Sequence, residues 1–402
     1  MQLLRNPRDL CIFLGVLLQS LCSIKLVWLN DLLTKTSSAS FSLSYPVIFL
    51  YIWSMTTFIS RVTGGYIFGK YAEARGFLAA QKILVLGYVL TTFLFFLCCA
   101  YATHLHQIRP MILILVYFNV LLFPATLILP AVYLMKCYST SSHVKIGALL
   151  ILASVLGYVL SYIIANEYNT QKMSLIICGA GLLCGIIYFF EKKILQQLEE
   201  SAHFQIKKRK KISQSYKEKF LATLVGGVCG AGMTHNYFFI EPYALNVSII
   251  NAHTLKVGYI SFYIAIGVFL LLAAKACDYL DHGKLMIRSL FGILLTVASL
   301  KILDISINHL YVAYQVVFAF FFAGFLAPSS ALIFSLFKEN QPFFNSIIWY
   351  YLGLSFSYLT GYFLSNGLGI FQQYFLFVTP LALSCVLCLI VMKSIKKIPQ
   401  LN

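Results

Sequence analysis

Charge is what this sequence has least of. Only 11% of its 402 residues are charged, and Asp and Glu together number 13. A soluble domain carries about 25% charged residues. A fold of this length could not cover itself with so few, so a water-soluble enzyme and a disordered chain are excluded. Other things are missing too. There is no P-loop, so direct ATP drive is not expected, and no nucleophile elbow or H-E-x-x-H stands in the chain. No small-x-small cleavage site follows the apolar stretch after Arg5 and Arg8, so Met1 to Trp28 reads as a first membrane helix rather than a signal peptide. The 11 cysteines form no framework, most lying inside apolar runs, as Cys22, Cys98, Cys99, Cys178, Cys184 and Cys229 do. Cys385 and Cys388 make a C-x-x-C without a nearby histidine or second pair, which reads as packing. His104-Leu105-His106 lacks carboxylate support, so no metal and no cofactor is expected.

What is present is apolar sequence in long runs. Sixty per cent of residues are hydrophobic. Runs of about 20 residues suit membrane helices, whereas an outer-membrane barrel would alternate over about ten. The runs predict twelve helices, near 10–30, 44–69, 80–102, 110–135, 144–165 and 172–190, then 220–241, 255–275, 284–306, 310–337, 343–365 and 372–393. The expected fold is an all-α polytopic membrane protein of twelve spans. Residues 191–219 hold Lys207-Lys208-Arg209-Lys210-Lys211 and form the one clear composition shift. This basic linker divides a six-helix half, 1–190, from a second, 220–402. Two equal halves suggest an internally repeated transporter.

The net charge is +17. In a membrane protein that reflects sidedness rather than nucleic-acid binding, and none is expected. With both termini cytoplasmic, only Lys35, Arg109, Lys172, Lys256 and Lys301 fall on the outer side. The bias predicts an inner-membrane protein with both ends inside, and a linker lying against anionic lipid.

Ionisable residues within spans usually face a cavity. Lys25 in the first helix and His235 in the seventh each lie about 15 residues from the cytoplasmic end, roughly 22 Å along the axis. These helices occupy equivalent places in the two halves. Lys25 suits a substrate carboxylate, or else snorkels to the outer interface. His235 can carry a proton or donate a hydrogen bond, or else bonds a neighbouring helix. Asn236 and Gln315 are further polar candidates, and Tyr51, Trp53, Tyr237, Trp349 and Tyr350 offer aromatic faces. Glu241 before Pro242 is a candidate outer gate. No Asp or Glu falls in the middle third of any predicted helix, which leaves His235 as the one candidate for proton coupling.

After the second helix the chain reads Arg61-Val62-Thr63-Gly64-Gly65-Tyr66-Ile67-Phe68-Gly69-Lys70-Tyr71-Ala72-Glu73-Ala74-Arg75-Gly76. Small residues there allow close helix approach, and Glu73 can meet a neighbouring helix N-terminus and close an inner gate. An eroded copy, Lys275 to Lys284 with Asp278 and Asp281, follows the eighth helix. Gly324 to Leu332, Phe337, Pro342, Gly353 and Gly361 complete the pattern. The ensemble resembles the major facilitator superfamily, and most of all its metabolite:proton symporter branch of proline/betaine type. The resemblance implies that Arg61, Gly65, Gly69, Glu73, Gly76, Asp278 and Asp281 serve gating, with helices 1 and 7 lining the cavity. It also implies a monomer whose partners are a small-molecule substrate, membrane lipid and the proton. Ala74, Lys136 and Ser335 depart from the branch's charged pattern. The expected function is a secondary active transporter of a small polar metabolite (osmolyte, amino acid or organic acid), proton-coupled and working by alternating access. The alternatives are an uncoupled facilitator and a non-transporting sensor or interaction protein. A membrane enzyme built on His235 lacks a second catalytic partner.

Overall fold

The computed structural model describes residues 6–22, 44–100, 105–167, 170–201, 216–235, 252–299, 308–338, 341–367 and 373–394. Among them are twelve α-helices. In chain order these are α1 (Pro7–Cys22), α2 (Ser44–Arg75), α3 (Phe77–Ala100), α4 (Leu105–Cys137), α5 (His143–Glu167) and α6 (Thr170–Ser201). The second set is α7 (Tyr216–Thr234), α8 (Ala252–Ala276), α9 (His282–Ser299), α10 (Asn308–Phe337), α11 (Pro342–Gly367) and α12 (Gln373–Ser394). Six of them, α3, α4, α5, α6, α8 and α10, are long and apolar enough to cross a membrane.

The exposed apolar residues show where lipid lies. On α3, Ile83, Leu86, Leu90 and Phe93 point outward, while Leu84, Tyr88 and Phe95 are buried. On α8, Ile264, Val268, Leu271 and Leu272 form the outward stripe. Three-and-four spacing makes each set one helix face. Contiguous apolar surface on this scale is stable only against hydrocarbon, and the chain is an integral membrane protein. Hydroxyls inside the helices bond back to their own carbonyls, as Thr92 does to Tyr88 at 2.8 Å and Thr296 to Gly292 at 2.8 Å. That satisfies them where water is absent.

Two compact units make up the chain. The first comprises Met1–Lys136, Leu150–Ile212 and Glu339–Ile347. The second comprises Cys137–Leu149, Ser213–Lys338 and Ile348–Asn402. Each is thus most of one six-helix half with a short segment numbered in the other. Their interiors repeat one packing device. In the first unit a Cβ on Gly157 of α5 would strike the Leu17 carbonyl and Ser20 of α1. In the second, a Cβ on Gly226 of α7 would strike the Tyr350 carbonyl of α11, and one on Gly353 of α11 the Thr223 carbonyl of α7. So α1 with α5, and α7 with α11, cross at backbone contact, as small residues in membranes permit. A hydrogen bond between Ser20 and Ser154 at 3.0 Å ties the first pair, and one from Ser357 to the Gly227 carbonyl at 2.8 Å the second. The helices in equivalent places, α4 and α10, are the most enclosed spans, with 78% and 72% of the span buried against 33% for α6.

Helix ends follow local chemistry. Asn6 caps α1, accepting from the Arg8 amide at 3.1 Å, with Pro7 in the first helical position. Gly76 ends α2 at φ +87°, the left-handed conformation that lets α3 start directly afterwards. At the other end of the half, α6 continues to Ser201, through the first part of the stretch read as linker. The reason is local: Glu, Lys, Gln and Leu are good helix formers. The shift in composition therefore marks where apolar sequence stops, while the helix runs on.

Candidate functional site

His235 is one of the two most enclosed polar groups among the candidates. It follows the last turn of α7, is 2% exposed, and its Nε2 lies 2.7 Å from the Tyr314 hydroxyl of α10. The imidazole also faces the Phe318 ring at 5.4 Å. Tyr311, Tyr314, Phe318 and Phe322 are spaced by three and four and run along neighbouring positions of α10. Tyr314 and Phe322 both stack on Phe318, at 6.2 and 5.6 Å, and Phe262 of α8 adds a fourth ring at 6.1 Å. Glycine makes room for this ladder: Gly232 of α7 faces Phe322, and Gly258 of α8 faces Tyr311.

Gln315 stands beside Tyr314 and is 0% exposed. Its Nε2 donates to the Tyr311 hydroxyl at 3.3 Å, while its Oε1 has no hydrogen-bond partner among the described residues. Buried amide oxygens are nearly always paired. A buried acceptor bonded through its amide to Tyr311, one turn from the Tyr314 that holds His235, suits a small hydrogen-bonding molecule.

The other sequence candidates fall elsewhere. Tyr350 is buried with its carbonyl against Gly226, and its side chain hydrogen-bonds Cys229. Trp349 lies under Lys219 Nζ, 5.5 Å from the ring centre. Lys219 and His235 are 16 residues apart, about 24 Å along the chain at helical rise, so Trp349 is distant from the His235 site. Lys25, Asn236, Tyr237 and Glu241 lie outside the described residues, as do the side chains of Tyr51 and Trp53. The pairing of Lys25 with His235 therefore has only its second member on view. Tyr311, Tyr314 and Phe318 were not singled out from sequence. Their spacing was legible, but it is the spacing of any packed helix face until a polar partner is seen against it.

A second cluster lies at the end of α2, within the first unit. Glu73 Oε1 accepts from the backbone amides of Phe343 at 2.6 Å and Phe344 at 3.4 Å, the first turn of α11. Pro342 supplies no amide, so the carboxylate takes donors that the helix cannot satisfy itself, and its charge meets the positive helix end. The approach is close because residue 69 is glycine: a Cβ there would lie 2.8 Å from the Phe344 Cα. Lys136 Nζ sits over the Phe343 ring at 4.0 Å, and Lys70 Nζ over Phe344 at 4.3 Å. Gly65 is buried and Arg61 faces the Phe123 ring at 5.4 Å.

The corresponding residues of the second unit do different work. Asp278 pairs with Lys145 at 2.8 Å, both side chains more than a third exposed. Such a pair contributes little to stability. Asp281 caps α9, accepting from the Lys284 amide at 2.9 Å. His282, next after Asp281, is half-buried; that burial lowers its pKa below the ordinary value, and the two carboxylates partly offset it. Cys385 and Cys388 are free thiols, fully buried in α12.

No family model matches the sequence, and no curated protein matches it. Solved structures do. The proton:xylose symporter XylE of E. coli, bound to 6-bromo-6-deoxy-D-glucose, superposes with a TM-score of 0.73 at 12% identity, over 97% of this chain and 95% of its own. A bacterial homologue of the iron transporter ferroportin, in an outward-facing state, gives 0.71 at 11% identity, over 97% and 99%. The human organic anion transporter MFSD10 gives 0.64 at 9% identity, over 95% and 98%. The chain has the major facilitator fold. It does so across nearly its whole length and that of each neighbour. A sugar, a metal ion and organic anions appear in the names of these neighbours, so the major facilitator fold does not choose the cargo.

Proposed function

We propose that this chain is a secondary transporter that moves a small polar metabolite across the inner membrane by alternating access. The observation that carries the reading is the enclosed polar set on α7 and α10. His235 is bonded to Tyr314 at 2.7 Å, and the next residue of α10, Gln315, bonded to Tyr311, holds a buried oxygen without a partner among the described residues. A substrate hydroxyl, ammonium or amide donates to Gln315 Oε1, and His235 with Tyr314 holds a second polar group. Phe318 and Phe262 exclude water around them. Lys25 and Arg61 are basic, which favours an anionic or zwitterionic substrate such as an amino acid, osmolyte or organic acid. His235 is the proposed proton carrier, since no carboxylate stands in the middle third of the predicted spans. Glu73 of α2, bonded to the first turn of α11, is the proposed inner latch: substrate-driven movement of that turn breaks two charge-assisted hydrogen bonds, which must be regained on return.

Uptake into proteoliposomes tests this directly, with labelled amino acids, betaines and dicarboxylates and with or without an inward proton gradient. The expected result is gradient-driven accumulation of one class. Gln315→Leu should weaken its binding at least tenfold, and His235→Ala should abolish accumulation while exchange persists. Uptake that only equilibrates, gradient or not, would make the protein an uncoupled facilitator. Binding of a panel member without any movement across the bilayer would overturn transport in favour of a sensor.

A further inference from the structure

Glu191 is the first residue of the polar stretch after the sixth apolar run, where a solvated side chain is the ordinary expectation. The structure buries it instead. It lies on α6 and is 1% exposed, and Gln81 of α3, 2% exposed, hydrogen-bonds its carboxylate through its side chain. The bond leaves two oxygens over: among the described residues neither Glu191 Oε1 nor Gln81 Oε1 has a partner. An ionised carboxylate and an amide carbonyl are both acceptors only, so the pair lacks one donor.

Among the described residues the surroundings supply no counter-charge. From α1, Cys11 lies within electrostatic reach of Glu191, and the Arg8 Nε bonds Asp9 at 2.7 Å. From α3, Lys82 beside Gln81 is exposed. On α6 itself, Tyr188 turns its hydroxyl to the Leu78 carbonyl at 3.4 Å, and Lys192 and Lys193 are exposed. Among the described residues no cationic nitrogen is within ion-pair distance of Glu191. A buried carboxylate without a cation or a full set of donors is strongly disfavoured in its charged form.

We propose that Glu191 and Gln81 form a proton-binding site inside the first unit, with the proton on the Glu191 carboxyl. That proton is the missing donor. An acid and a primary amide exchange two hydrogen bonds, O–H to the amide oxygen and N–H to the acid carbonyl, so one proton satisfies both orphaned oxygens. The site joins α3 and α6, and its loss of the proton puts an uncompensated charge between them. It is separate from the His235 set and holds whether or not the chain transports.

Infrared spectroscopy of the purified full-length protein in lipid tests it. At neutral pH ordinary Asp and Glu, which titrate near 4, show no protonated-carboxyl C=O band. One such band is expected, vanishing on alkaline titration and missing in Glu191→Gln. No band at neutral pH, or a band that survives Glu191→Gln, overturns the proposal. Gln81→Leu gives a check should the first variant not fold: the band persists but moves to higher frequency as its acceptor is lost, and an unmoved band overturns the pairing. Proton linkage gives a further readout. The native state holds a proton that the unfolded chain releases, so thermal stability falls as pH rises through neutrality, and Glu191→Gln flattens that slope.

Discussion

His235 and Tyr314 form a buried hydrogen bond, and each loses differently if the other is removed. Tyr314→Phe leaves the imidazole without that partner, a cost of about 1–3 kcal/mol, so the unfolding midpoint of purified protein should drop while the helical circular dichroism is unchanged. A variant as stable as the parent would mean that water replaces the phenol. His282 sets a pH response of its own. Burial lowers its folded pKa, with Asp281 and Asp278 partly offsetting the shift. Near the ordinary histidine value of about 6.5 the unfolded chain therefore binds more protons than the native one. Stability is full above that value and is lost as pH falls below it. His282→Gln should remove part of the acid sensitivity seen in melts at about pH 7.5 and about pH 5.5. Of these residues, sequence pointed to His235 through its depth in an apolar run. Tyr314 was one of 26 tyrosines, and only the fold sets it apart.

The helices make their own demands. The α7–α11 crossing depends on glycine: a Cβ on Gly353 meets the Thr223 carbonyl, whereas a Cβ on Gly179 of α6 meets open space. Gly353→Ala should therefore cost about 1–3 kcal/mol through forced separation of the two helices. Gly179→Ala should gain about 0.4–1 kcal/mol by restricting the unfolded chain. Comparing their thermal midpoints separates packing from propensity, and equal midpoints would contradict the close crossing. The bond from the start of α11 to Glu73 of α2 is a second element-scale test. Glu73→Gln keeps an acceptor and removes the charge, so the helix-end interaction weakens by about 0.3–1 kcal/mol. If Glu73 is the inner latch, the variant should also exchange substrate faster. The glycines of the 61–76 segment were legible as a close-packing motif. What they pack against was not, because Gly64 meets Leu121 of α4 and Gly69 meets Phe344 of α11, both far along the chain.

For the whole molecule the open question of sidedness has a direct answer. The proposed topology puts both termini and the 191–219 linker in the cytoplasm, with the stretch around His104 outside. Reporter fusions at these four places should give one reading for the first three and the opposite for the last. Termini on opposite sides would remove the even helix count on which the two-half arrangement rests.

Apolar runs of bilayer length and scarce charge were enough to determine an all-helical membrane protein, because hydrocarbon leaves a backbone almost no other choice. The small residues of the 61–76 segment were legible as a close-packing motif, since only small residues allow backbones to come that close. Tertiary structure decided the rest. It chose which of many aromatic residues faces His235, left Gln315 Oε1 without a partner, and carried Glu191 out of water to Gln81. Those outcomes turn on which helix faces meet, and that is set by contacts between residues far apart in the chain.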